Sequence, residues 1–280
     1  DGFGLDYPIE MKLEQMQCTG SFKARGAFNT LLSSDVPETG LVAASGGNHG
    51  AAVAYAAKKL GHKAKIFVPE FAGPAKIGLI KRSGADLSVV TGEYANAFQD
   101  AQAYETEKGA MQVHAFDAIS TVAGQGTLTR EWEEQGLQAD TILIAVGGGG
   151  LIAGAMAWLG KTRKILAVEP EKAPTMFTAL AQGGPQDVEV GGIAANALGA
   201  RKVGQICYDL AIETGTECVT VTDEAIRTAQ VALWQECRQL VEPAGATALA
   251  ALMSGAYKPA PDERVAVLVC GGNLSEDPFG

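Results

Sequence analysis

The chain has 280 residues, with 22 basic and 32 acidic side chains, a formal net charge of −10, 47% hydrophobic residues and 35 glycines. This predicts a soluble globular protein of one or two domains, long enough to bury a sizeable core. The acidic balance, spread without runs of either sign, argues against nucleic acid or anionic lipid as the main partner and leaves small molecules.

In chain order, hydrophobic periodicity predicts a helix over 22–34, a strand over 41–44, a helix over 50–60, a strand over 65–68, a helix over 75–83 and a strand over 87–90. Helices over 94–108 and 122–135 follow, then strand 141–146, helix 151–159, strands 164–168 and 218–221, helices 223–240 and 244–254, and strand 265–270. Strands apolar on both faces, alternating with helices, mean parallel sheet covered by helices, so the fold class is α/β. Two uncharged stretches, 39–57 and 141–160, carry glycines at their centres and read as strand, loop and helix, so no membrane span is expected. Residues 40–117 form a candidate small α/β domain inserted into a larger one made of 1–39 and 118–280. The loops 45–50 and 147–150 would then face each other across a cleft.

The chain begins Asp1-Gly2-Phe3-Gly4, with no basic or apolar leader pattern, so no secretory signal is expected. Cys18, Cys207, Cys218, Cys237 and Cys270 are odd in number and lack C-x-x-C spacing, which fits a reducing, cytoplasmic setting better than disulfides or zinc. His49, His62 and His114 form no local metal motif.

Gly147, Gly148, Gly149 and Gly150 follow a β-type run and precede a helix starting near Leu151, which favours a phosphate held by backbone N–H groups. A nucleotide loop is excluded because no Lys-Ser/Thr follows and the G-x-G-x-x-G spacing fails. Lys23 lies in Thr19-Gly20-Ser21-Phe22-Lys23-Ala24-Arg25-Gly26, where Thr19 or Ser21 could cap the helix. Beside Arg25 and Phe22 its ammonium form would be disfavoured, as a Schiff-base lysine requires. A phosphate cradle and such a lysine together suit an aldehyde cofactor with one phosphate. Ser45-Gly46-Gly47-Asn48-His49-Gly50 is a second strand-to-helix loop, where Asn48 can donate to a cofactor oxygen and the N–H groups can hold a carboxylate. His49 is expected to be structural. Cys270 ends the last strand, where a parallel sheet presents side chains to a ligand.

Four motifs, Gly20 to Ala27, Ser45 to Gly50, Gly147 to Gly150 and Cys270-Gly271-Gly272-Asn273, together resemble the fold-type II pyridoxal-phosphate enzymes, in particular the serine/threonine dehydratase family. The resemblance implies two open parallel-sheet domains with pyridoxal 5'-phosphate in the cleft between them. It further implies that Lys23 forms the Schiff base and moves the α-proton, that Phe22 packs on the ring, and that Asn48 meets the ring hydroxyl. Gly147 to Gly150 and Leu151 would hold the phosphate, and Cys270 would face the pyridine nitrogen. A thiol there does not force that nitrogen to be protonated, which suits β-elimination. The implied reaction removes water from a β-hydroxy amino acid such as L-serine or L-threonine, giving a 2-oxo acid and ammonia. Ser45, Gly46, Asn48 and His49 would bind the substrate carboxylate, mostly through backbone N–H groups.

Serine racemases of the family carry a second acid/base serine where this chain has Gly46, so racemisation is expected to be poor. Glu169, the Ala173 carbonyl and Thr175 resemble the family's cation site, with the Leu198 and Ala200 carbonyls added by similarity. One carboxylate with neutral oxygens favours a monovalent ion such as K⁺ over Mg²⁺ or Ca²⁺. The chain ends soon after Asn273, from which a catabolic role without end-product feedback is expected, and dimers are the family's common state. Dehydration of a hydroxyaspartate or an aryl-serine, residual racemisation and a catalytically silent binding protein are the alternatives. Gln125, Gly126 and Thr127 are expected to border the substrate pocket.

Overall fold

The computed structural model describes residues 2–70, 72–92 and 94–274. The chain opens with strand β1 (Ile9–Leu13) and two short 3₁₀ turns, then helix α1 (Lys23–Leu32). Next come β2 (Leu41–Ala44), α2 (Asn48–Leu60), β3 (Ala64–Pro69), α3 (Pro74–Arg82), β4 (Asp86–Val90), α4 (Tyr94–Lys108) and β5 (Met111–Gln112). Helix α5 (Ile119–Glu134) leads to β6 (Thr141–Ala145), α6 (Gly150–Leu159), β7 (Lys164–Pro170), α7 (Thr175–Gln182), α8 (Ala195–Leu198) and α9 (Gln205–Thr214). The last described elements are β8 (Glu217–Val221), α10 (Asp223–Cys237), α11 (Pro243–Met253) and β9 (Val265–Val269).

The fold is α/β, with two parallel sheets. Five strands run in the order β1-β9-β6-β7-β8 and four in the order β4-β3-β2-β5, every pairing parallel. β2, β6 and β9 are buried on both faces because helices cover both. Along β2, Leu41 and Ala43 join one hydrophobic cluster and Val42 and Ala44 another, the period-2 alternation of a doubly covered strand. β6 and β9 are buried at every position.

Five elements have no counterpart in the sequence pattern. β1 (Ile9–Leu13) carries Glu10 and Lys12, as an edge strand can, and β5 is only two residues long. α7, α8 and α9 fall between the predicted strands 164–168 and 218–221, where the sequence pattern predicts no element.

Helix α1 serves both sheets. Its Ala27 and Leu31 belong to the cluster on one face of the four-stranded sheet. Its other side meets α5 so closely that a Cβ on Gly26 would lie 2.4 Å from Gln125 Nε2, and one on Gly124 would lie 2.6 Å from Gly26 Cα. A second glycine pair joins α5 to α6, with a Cβ on Gly154 falling 2.5 Å from Gly126 N and 2.7 Å from the Val122 carbonyl. Charges complete the seam: Arg25 grips Glu14 with two hydrogen bonds of 2.8 and 2.7 Å and reaches Glu131 at 2.9 Å. Lys12 also pairs with Glu131. The contacts at Gly154 are backbone and cannot yield, so Gly154→Ala is expected to lower stability by about 2 kcal/mol or more in urea unfolding. A loss below about 0.5 kcal/mol would show that the seam relaxes.

Candidate active site

Three loops meet at the C-terminal ends of strands: residues 45–47 after β2, 146–149 after β6 and 270–273 after β9. All three strands are interior to their sheets. Open parallel sheets gather ligands at such ends.

Lys23 is placed by main-chain stitching. The Phe22 N–H donates to the Cys270 carbonyl at 3.1 Å, the Gly272 N–H to the Gly20 carbonyl at 2.9 Å, and Ser21 forms a bridge with Gly271. Lys23 therefore opens α1 beside the end of β9. Its Nζ donates to the Ala115 carbonyl at 2.7 Å and stands 5.1 Å from the centre of the Phe22 ring. Burial lowers its pKa from the ordinary 10.5 to about 8, against a smaller opposing pull from Cys270. Such an amine can act as nucleophile or base at mildly alkaline pH.

Two local expectations are corrected here. Neither Thr19 nor Ser21 caps α1: Phe22 is the N-cap, and the Ser21 hydroxyl is buried without a partner. Arg25 does not depress the lysine either, because Glu14 and Glu131 take its charge and desolvation does the work.

The glycine loop is shaped by what surrounds it. A Cβ on Gly147 would lie 2.8 Å from the Leu198 backbone, on Gly148 2.4 Å from the Phe116 ring, and on Gly150 2.8 Å from the Phe116 backbone. Gly149 has φ +88° and faces Cys207 Sγ at 2.5 Å from its would-be Cβ. The carbonyls of Gly147, Gly148 and Gly149 accept from the Thr175 hydroxyl, the Gly204 N–H and the Ala153 N–H. In trans peptides the next N–H points the opposite way, so those of Gly148, Gly149 and Gly150 point away from these three partners, in a loop that lines the cleft. Leu151 follows in the first turn of α6 and lines the same cleft. Backbone donors without side chains at a helix N-terminus fit a phosphate.

On the facing loop, the Ser45 hydroxyl accepts from the Gly47 N–H at 3.1 Å. The first intrahelical bond of α2 runs from Ala51 to Gly47, so the N–H groups of Asn48, His49 and Gly50 precede it. Gly46 is tightly enclosed, since a Cβ there would lie 2.3 Å from that of Ala72 and 2.9 Å from Val68 Cγ1. The His49 side chain is buried and its Nε2 meets the Val113 carbonyl at 2.8 Å. Burial, with the nearby Lys23 charge, lowers its pKa to about 3, so it is a neutral structural histidine and only its backbone can serve a ligand.

Cys270 is buried at the end of β9 and its thiol donates to the Ala244 carbonyl at 3.3 Å. Burial, then the Glu242 charge, raises its pKa, so it stays a thiol. With Phe22, Lys23, Asn48, Phe116, Glu242 and the glycine loop it lines one cleft.

Glu242 and the segment 113–117 were not singled out from the sequence. Glu242-Pro243 signals a helix start rather than a pocket, and 113–117 lies between elements. That segment nonetheless supplies the Val113 and Ala115 carbonyls, the Phe116 ring and the Asp117 carboxylate, which accepts from Gln205 and Ile206 N–H at the start of α9. Conversely, Gln125, Gly126 and Thr127 do not border the cleft but sit in the α1–α5–α6 seam.

Glu169 and Thr175 do meet. Glu169 is fully buried; its Oε1 accepts from Thr175 Oγ1 at 2.8 Å and Met176 N–H at 2.9 Å, and its Oε2 from Phe177 N–H at 2.9 Å. Burial is the main influence on its pKa and raises it. The Ala173 carbonyl accepts from Thr175 N–H at 3.1 Å, Leu198 backs onto Gly147, and Ala200 is half-buried. Among the described residues, no cluster of three or more His, Cys, Asp or Glu is arranged to hold a metal ion. None of the described helices is long and apolar enough to cross a membrane.

A family model described as "Pyridoxal-phosphate dependent enzyme" matches residues 2–271. The chain is 37% identical over 278 residues to phenylserine dehydratase of Ralstonia pickettii, covering 97% of this chain and 84% of that one. It is 35% identical over 275 residues to an L-threonine ammonia-lyase of Geobacter sulfurreducens, covering 96% and 68%. The solved structure of maize serine racemase superposes with a TM-score of 0.90 at 30% identity, covering 96% of this chain and 84% of that one.

A lysine with a depressed pKa costs stability wherever the unfolded chain still holds the proton. For Lys23 the penalty is full below pH 8 and is relieved as pH rises to 10.5. Lys23→Met is therefore expected to raise the stability of the cofactor-free protein at pH 7 by up to about 3 kcal/mol and to flatten the rise between pH 8 and 10.5. Urea unfolding across that range checks it; an unchanged pH profile would mean the amine is well solvated.

Proposed function

The chain belongs to the pyridoxal-phosphate dependent enzymes of fold type II, in the threonine/serine dehydratase-like family, and from that premise we propose that it removes water from a β-hydroxy amino acid, L-threonine or L-serine, to give a 2-oxo acid and ammonia. The observation that carries the reading is the pairing, in one cleft, of a buried lysine whose pKa is about 8 with a neutral thiol at the strand end.

Pyridoxal phosphate, when bound, supplies an aldehyde for the substrate amine and a ring that accepts electrons from Cα. The N–H groups of Gly148 to Gly150 would hold its phosphate, Phe22 one face of its ring, and Asn48 and Cys270 its polar edge. The Lys23 Nζ, unprotonated in its working form, would take the α-proton while the C–H electron pair forms the Cα=Cβ bond. The β-hydroxyl would leave as water with a proton from the cofactor phosphate, and the released enamine would take up water to give the 2-oxo acid and ammonia. The N–H groups of Asn48 and His49, with that of Gly46 and the Ser45 hydroxyl, hold the substrate carboxylate at the start of α2; the Ser45 N–H is not among them, because it donates to the Phe67 carbonyl at 2.9 Å. The Cys270 hydrogen is committed to Ala244, so this residue adds no positive charge at the ring nitrogen. Racemisation would need a second acid/base group on the opposite face, and the enclosure of Gly46 argues against one at that position.

An aryl-serine is the second reading, favoured by the likeness to phenylserine dehydratase. A monovalent cation beside Glu169 is also part of the proposal. The oxygens of Gly147, Thr175 and Glu169 crowd together with one hydroxyl proton between two close contacts, and a single carboxylate suits K⁺.

With added cofactor and KCl, the purified protein is expected to release 2-oxo acid from L-threonine or L-serine. Lys23→Ala is expected to lower turnover by roughly 10³-fold. Turnover confined to phenylserine would establish the second reading, and no turnover of any β-hydroxy amino acid would remove the proposal. Activity is further expected to be higher in KCl than in NaCl and indifferent to EDTA; loss with EDTA would point instead to a divalent ion.

A further inference from the structure

Among the described residues, Asn48 is the side chain that the four-stranded half sends into the cleft against the polar groups at the end of β9, and its amide orientation decides what it offers. An amide group is nearly symmetrical in shape, but one end accepts and the other donates. Its neighbours fix the choice. Asn48 Nδ2 donates to Glu242 Oε1, while Asn48 Oδ1 accepts from Asn273 Nδ2 at 2.9 Å. Asn273 is fixed in turn, since its Nδ2 also donates to the Thr19 carbonyl at 2.6 Å, and a carbonyl can only accept.

Glu242 holds the other end. It is 2% exposed and occupies the N-cap position of α11, yet its side chain makes no capping bond there. It turns instead toward Asn48 and Gly271, where a Cβ would lie 2.3 Å from Glu242 Oε1, so Gly271 makes the room for the carboxylate. An ionised carboxylate beside a helix N-terminus only accepts and is favoured by the helix dipole. With Asn273 donating on one side and Glu242 accepting on the other, a flipped Asn48 would set oxygen against oxygen and N–H against N–H. The second Nδ2 proton is committed to no acceptor among the described residues, and Asn48 lines the cleft.

We propose that Glu242 is a positioning residue which, together with Asn273, locks the Asn48 amide so that it presents an N–H, not an oxygen, to the cofactor. The inference rests on the reading above for the identity of that cofactor but not for the reaction. Glu242 acts through Asn48, so the two losses should not add.

The test is a double-mutant cycle on the affinity of the cofactor-free protein for pyridoxal phosphate, read by absorption and fluorescence on titration. Glu242→Ala and Asn48→Ala are each expected to weaken binding by about tenfold, the scale of one charge-assisted hydrogen bond. The double variant is expected to match Asn48→Ala within about twofold, and Glu242→Gln, which keeps an acceptor oxygen, to stay within about threefold of the unaltered protein. Unchanged affinity in Glu242→Ala, or losses that multiply in the double variant, would overturn the inference. Cofactor binding without turnover of any β-hydroxy amino acid would remove the proposed reaction and leave the cycle readable.

Discussion

A lysine amine held out of water at the end of a parallel strand is the constraint on which the rest of this structure turns. Desolvation disfavours the Lys23 ammonium, and little nearby restores it: Arg25 is engaged elsewhere, and Cys270 is kept a neutral thiol. The Ala115 carbonyl takes one hydrogen bond from the amine without supplying a counter-charge. A carboxylate in direct contact would raise the pKa again. The acidic groups nearest the site have their own partners, Glu14 on Arg25 and Glu242 on Asn48.

Holding an amine there demands that backbones approach more closely than side chains allow. Gly26 against α5, and Gly126 against Gly154, bring α1, α5 and α6 together, while the stitching of residues 20–22 to 270–272 ties the start of α1 to β9. The same economy of side chains appears at the anion loop. There Phe116, which also lines the cleft, fills the space that a Cβ on Gly148 or Gly150 would need, so only bare backbone fits the loop. Stability and site geometry therefore depend on the same glycines, which couples packing errors to errors of position.

The polar groups of the cleft form a chain of fixed donors and acceptors, from the Thr19 carbonyl through Asn273 and Asn48 to Glu242. Thr19 has φ +65°, an unfavourable backbone for a β-branched residue. Its carbonyl is the acceptor that orients Asn273. Asn48 comes from the half built on the four-stranded sheet, whereas Glu242 and Asn273 come from the half built on the five-stranded one, so the chain of bonds also spans the cleft.

The sequence by itself determined the α/β class, the strand-loop-helix units and three of the loops that meet at the site. Continuous apolar runs alternating with helical stretches, and bare glycine clusters at strand ends, leave few other foldings, because glycine in such numbers is costly unless something must come close. It also determined Lys23, Asn48 and Cys270 as residues of interest, through local motifs. Tertiary structure alone decided that desolvation, not Arg25, depresses Lys23, that Ser21 caps nothing, and that Gln125 to Thr127 belong to a helix seam. It alone brought in Glu242 and the segment 113–117, which carry no local signature. The physical reason is the same in each case: charge balance, burial and amide polarity are set by residues far apart in the chain, such as Asn48 and Glu242, and no window of neighbouring residues contains both partners.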